Sequence, residues 1–138
     1  MEALINSLKQ GDIFSAGKKL TEKDVIELQK NLLLNNYPQL PKMFIDFLKE
    51  FNGIKTSYTT ILGINPDHKN LDLLSFNQEM NARNENLILG FDDFAYLVFD
   101  GKHNQYLLIS RDNMDIIEDF LPEDFEFALN SIIHDDND

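Results

Sequence analysis

Apolar residues recur along this chain first at helical spacing and then, from about Tyr58, at the spacing of strands. Leu4, Ile5 and Leu8 share one face of a predicted helix over Glu2–Gln10, with Gly11 beyond its end. A small loop containing Gly17 follows. Thr21-Glu22-Lys23-Asp24 is a capping-box variant with Asp24 in the place usually held by Glu or Gln. Behind it Val25, Leu28 and Leu32 predict a helix over about 22–34, which Asn35-Asn36-Tyr37-Pro38 ends. The third helical segment is the clearest. Pro41 suits a first turn, where its missing N–H is no loss. Met43, Phe44, Phe47, Leu48 and Phe51 form one broad apolar stripe opposite Lys42, Asp46, Lys49 and Glu50. Asn52-Gly53 closes the helix, with Gly53 suited to the left-handed backbone of a helix C-terminus.

Tyr58–Ile64 is β-branched and reads as a strand ending near Asn65-Pro66. Residues 67–86 are polar around Leu71, Leu73, Leu74 and Phe76, which predicts a loop with one or two helical turns. Leu87–Phe91 is a further strand. Ala95–Asp100 and Gln105–Arg111 flank Gly101-Lys102-His103-Asn104 as a hairpin. Both hairpin strands are apolar on both faces, so they are expected at the centre of a sheet covered by helices on at least one side. Asp115–Phe120 reads as another strand, with Ile116 and Phe120 expected on one face. Pro122 opens a last helix whose first turn holds Glu123, Asp124 and Glu126. Its stripe is Phe125, Ala128, Leu129 and Ile132. The expectation is one α+β domain over 1–138, its mixed, mainly antiparallel sheet packed against helices. Residues 1–20 form an N-terminal helix and loop, and the acidic tail 134–138 is expected to fray.

Composition narrows the function classes. Of 138 residues 43% are hydrophobic, with 11 Phe, which suits an aromatic core rather than disorder. No apolar run reaches the ~18–20 residues that span a bilayer, and the N-terminal segment lacks the pattern of a signal peptide. There is no cysteine, hence no disulfide or thiolate metal site. A cytoplasmic protein is expected. The net charge of −12 is uneven: residues 1–55 hold 8 Lys and 7 Asp/Glu, whereas 56–138 hold 4 Lys/Arg and 17 Asp/Glu. Such a surface repels phosphate backbones and anionic membranes and attracts basic proteins. An acidic surface that serves only solubility is the competing reading.

Candidate chemistry is sparse. His68, His103 and His134 lie in predicted loops or the tail, without the spacing of a helical metal pair. No nucleophile elbow and no glycine-rich phosphate loop occurs. Acids at strand ends, Asp92-Asp93, Asp100, Asp112 and Asp115, have the chemistry to hold Mg²⁺ or Ca²⁺, but they match no calcium loop, and turn-forming Asp explains each. The expectation is therefore no catalytic residue, no metal and no cofactor. Asp92, Asp93, Asp100, Asp112, Asp115, Glu118 and Asp119 are expected to include the groups that meet a basic partner. Phe91, Phe94 and Tyr106 are the expected anchors. Pro41, Phe44, Phe47, Leu48, Asn52 and Gly53 are expected to be structural, with the Asn52 amide tying the helix end to a neighbouring loop.

The stretch Leu40-Pro41-Lys42-Met43-Phe44-Ile45-Asp46-Phe47-Leu48-Lys49-Glu50-Phe51-Asn52-Gly53 resembles the Leu-Pro…Asn-Gly signature of the SUKH superfamily, which includes Smi/Knr-type cell-wall-assembly regulators. Ile88-Leu89-Gly90-Phe91 followed by Ala95–Asp100, and then a closing helix, is similar to that family's later elements in the same order. Ile54 stands where the family often has a second glycine, and Phe91-Asp92-Asp93-Phe94 replaces its usual glycine-rich turn. The resemblance spans about residues 21–133. It implies an α+β fold and, for bacterial members, an immunity protein that neutralises a cognate toxin, often a nuclease or deaminase. The alternative it implies is a regulatory scaffold domain of the cell-wall-regulator type.

Overall fold

The computed structural model describes residues 2–11, 15–80 and 85–133. The expected frayed tail, with His134, lies outside these residues, as does part of the 1–20 segment. Three helices come first: α1 (Glu2–Gln10), α2 (Glu22–Leu34) and α3 (Lys42–Glu50). At the start of α2 the capping box is complete: Asp24 N–H donates to Thr21 Oγ1 at 3.2 Å, and Thr21 N–H donates to the Asp24 carboxylate at 2.9 Å. These bonds hold the exposed Asp24 carboxyl below its ordinary pKa. Pro41 stands one position before α3 rather than inside its first turn, and supplies an extended entry at ψ 149°. Phe44, Phe47 and Leu48 of α3 are buried, as is Phe51 just beyond it. The Phe47 ring stacks on those of Phe44 and Phe51, at 6.5 and 5.6 Å between centroids.

The sheet is a six-stranded meander in chain order: β1 (Ile54–Lys55), β2 (Thr60–Ile61), β3 (Asn86–Phe91), β4 (Ala95–Asp100), β5 (Gln105–Ser110) and β6 (Ile116–Phe120). Every strand pairing is antiparallel. Parallel geometry is confined, among the described residues, to the isolated bridge between Gly63 and Asp72. Short turns between β3 and β6 enforce this, because a parallel partner needs a long crossover. Helix α4 (Leu73–Glu79) fills the β2–β3 connection, capped by the Asp72 carboxylate on Ser75 N–H at 3.1 Å. A 3₁₀ turn (Pro122–Asp124) leads into α5 (Phe125–Asn130). No helix among the described residues is long and apolar enough to cross a membrane.

The register sorts side chains into two faces. Leu87, Phe99, Tyr106 and Phe120 lie opposite one another across β3–β6. This face meets the helices: Tyr106 packs on Phe125 at 5.2 Å, and Phe125 on Phe44 at 6.1 Å, edge to face. The other face carries Phe91, Tyr96, Ile109 and Ile116 in a row, with Phe76 of α4 stacked on Phe91 at 5.2 Å.

Two asparagines join these layers. Asn52, 3% exposed, donates through Nδ2 to Lys18 O and Ile64 O at 2.8 and 2.9 Å and accepts from Ile64 N–H at 2.8 Å. A Cβ at Gly63 would stand 2.4 Å from Asn52 Oδ1, so no larger residue lets the chain approach that amide. Gly53, with φ +80°, takes the left-handed backbone anticipated for it, two residues past the helix cap at Phe51. Asn77 plays the matching part in α4. Where β2 stops, its amide continues the ladder, accepting from Ile88 N–H at 2.7 Å and donating to Ile88 O at 3.0 Å.

Candidate functional site

The predicted acids sit on three parts of the sheet. The β3–β4 turn and the β5–β6 turn lie together, because Ala95 pairs with Ser110 and Arg111 N–H donates to Phe94 O at 2.9 Å. Asp100 lies at the far end of β4, roughly 17 Å away at 3.3–3.4 Å per residue. Glu118 and Asp119 lie on β6, the outermost strand.

At the first end, the Asp92 carboxylate accepts from Phe94 N–H and Ala95 N–H, both at 2.8 Å, and Asp92 is only 7% exposed. This Asx turn pushes the Phe94 side chain outward, where it is 77% exposed, beside exposed Asp93. Arg111 is exposed but held against its own scaffold: Nη1 donates to Asp92 O at 2.7 Å, and the guanidinium lies 5.2 Å from the ring centres of both Phe91 and Tyr96. Asp112 and Asp115 are exposed on the neighbouring turn, which closes through Met114 in left-handed backbone at φ 62°. The end thus presents carboxylates and Phe94 together with Arg111, whose guanidinium is tied to its own scaffold.

Asp100 does something different. Its carboxylate accepts from Lys102 and His103 N–H, from His103 Nδ1 at 2.8 Å and from Gln105 Nε2 at 3.1 Å. Desolvation pushes its pKa up, but the Gln105 and His103 hydrogen bonds outweigh that and hold it below the ordinary carboxylate value.

Three expectations are corrected by this placement. Tyr106 is a core residue, 1% exposed between Phe99 and Phe125, and burial pushes its phenol above the ordinary value. It is not a surface anchor. Asp92 and Asp100 are buried because turn amides claim their carboxylates, so they shape turns rather than present charge. Phe91 is half-buried between Phe76 and Tyr96. Asp93, Phe94, Asp112, Asp115, Glu118 and Asp119 remain exposed.

The register of β6 brings a further correction. A bulge lets Glu118 face Leu108 while Ile116 faces Ile109, so Ile116 and Phe120 lie on opposite faces rather than one. Ile116 and Ile117 are consequently 61% and 56% exposed, and Met114, Leu121 and Phe127 are exposed as well. The adjacent pair Ile116-Ile117 was the available signal, since strand alternation cannot bury both on one face.

Other candidates lead nowhere comparable. The cleft between α1 and α3 is lined by Glu2, Ile5, Asn6, Lys9, Asp46 and Glu50, and Lys9 is already paired with Glu50 at 3.2 Å. Among the described residues no group of three or more His, Asp or Glu is placed to hold a metal ion. No family model matches the chain, and no curated protein matches it.

Proposed function

We propose that this chain is a non-catalytic inhibitory binding protein, an immunity protein that neutralises a basic toxin domain through its acidic sheet end. The observation that carries the reading is Phe94, held outward on a turn fixed by Asp92, beside exposed Asp93 and next to the turn that exposes Asp112 and Asp115. A rigid aromatic beside exposed carboxylates suits a basic cleft: the ring can be desolvated at the centre while the acids steer association. Little ordering entropy is lost, since the turns are tied to the sheet before a partner arrives. The order of motifs that resembles the SUKH superfamily supports the same reading.

The test is whether a basic toxin domain is encoded beside this gene and whether the chain protects cells from it, with affinity measured at low and high salt. Phe94→Ser should cost about 2 kcal/mol or more of binding. Asp93→Lys should slow association, most at low salt. Full protection and unchanged affinity in the combined variant would end the proposal.

A further inference from the structure

Strand β6 closes the sheet with one edge paired to β5, and among the described residues no strand pairs with its other edge. The direction of its backbone groups follows from the ladder. Arg111 N–H donates toward β4, to Phe94 O, and Ser110 N–H donates toward β6, to Asp115 O at 2.8 Å. Alternation then turns Leu108 and Tyr106 toward β6 and Leu107 away from it. Glu118 and Phe120, opposite Leu108 and Tyr106, therefore face inward, and Asp119, opposite Leu107, directs its N–H and C=O outward.

The blunting devices of this edge are its bulge and its two acids, Glu118 and Asp119; the acids repel another acidic strand but not a basic one. It has no lysine and no proline, and it exposes Ile116 and Ile117. The Glu118 side chain shares the face of Leu108, and Asp119 that of Leu107, so one carboxylate stands on each side of the strand. From Asp112 to Glu126 there are seven acids and no lysine or arginine. A second copy of the chain is a poor occupant, since antiparallel pairing of two β6 strands sets like charges against each other. A segment with alternating basic and apolar residues fits both features.

We infer that β6 receives an extended basic segment of the partner protein as a seventh strand, with main-chain bonds at Asp119, lysine or arginine beside Glu118 and Asp119, and apolar side chains on Ile116 and Ile117. This rests on the acidic-surface reading above and adds the mode of attachment.

The full chain, isotope-labelled, is titrated at low salt with a short capped peptide alternating valine and lysine. A second peptide has a central valine replaced by proline, which keeps the charge and prevents strand pairing. The alternating peptide should bind and slow amide exchange at Asp119 by about tenfold or more. The proline peptide, and the Asp119→Pro variant against the alternating peptide, should each bind about tenfold more weakly. Equal binding of both peptides, with exchange at Asp119 unchanged, overturns strand addition and leaves the acidic-surface reading standing. Absence of binding by either peptide overturns both. A dimer of the chain alone that disappears in Asp119→Pro would assign the edge to a second copy and overturn the inference. The exchange measurement on the unaltered chain decides the matter even if Asp119→Pro fails to fold.

Discussion

Around Asn52 the chain turns polar groups inward and gives each a partner, whereas along β6 it turns apolar groups outward and leaves them uncovered. The first region joins α3, the loop before α2 and the start of the sheet through one buried amide. No buried side-chain nitrogen or oxygen among the described residues lacks a hydrogen-bond partner. The second region is a strand whose four leading residues are all exposed, two of them isoleucine. A buried polar group without a partner is costly, so the Asn52 corner reads as architecture. Exposed isoleucines on an edge strand contribute little to folding, and they are what the proposed seventh strand would cover.

The largest effect should come from the core beneath the first region. Phe47→Ala is expected to cost roughly 3–5 kcal/mol, because the ring is fully buried between two others. Urea unfolding measures it, and a loss under about 1 kcal/mol would place Phe47 outside the core. Asn52→Ala comes next. It leaves Ile64 N–H and two carbonyls without the amide, and a loss of about 2–3 kcal/mol is expected in the same assay. A near-neutral result would break the contrast from the architectural side.

A smaller effect depends on pH. The folded pKa of Asp100 lies below the ordinary aspartate value of 3.8 that it takes in the unfolded chain. Its contribution to stability is therefore present above that value and is lost as the pH falls through the lower folded pKa. Asp100→Asn should flatten this part of the acid limb when unfolding is followed across that window. An acid limb identical to that of the unaltered chain would show that the turn does not depend on the charge. The smallest stability effect belongs to the edge: Ile117→Ser should change unfolding free energy by no more than about 0.5 kcal/mol. A loss of about 2 kcal/mol would mean that Ile117 serves the fold, and the contrast would fail there.

Periodicity alone marked out α1, α2, the apolar stripe of α3, the β4–β5 hairpin and the buried face of α5, since each depends on neighbours within a few residues. Gly53 and the Asn52 tie were legible for the same local reason: a helix ending in Asn-Gly needs a left-handed residue and a partner for its last groups. Tyr58–Ile64 read as one strand, yet only Thr60–Ile61 joins the sheet, and Ile54–Lys55 pairs beside it without a pattern to announce it. Such short pieces are strands only because a partner lies alongside, β3 beside Thr60–Ile61 and Thr60–Ile61 beside Ile54–Lys55. The acids show the same division. Their number and their place in the chain are properties of the sequence, and the proposal of a basic partner starts from them. Which of them is free to meet it depends on whether turn amides have claimed the carboxylate, as at Asp92 and Asp100, and on which face the register assigns. Tyr106 went to the core and Ile116 to the surface because of cross-strand register and a single bulge. Those are relations between distant segments, and no local spacing encodes them.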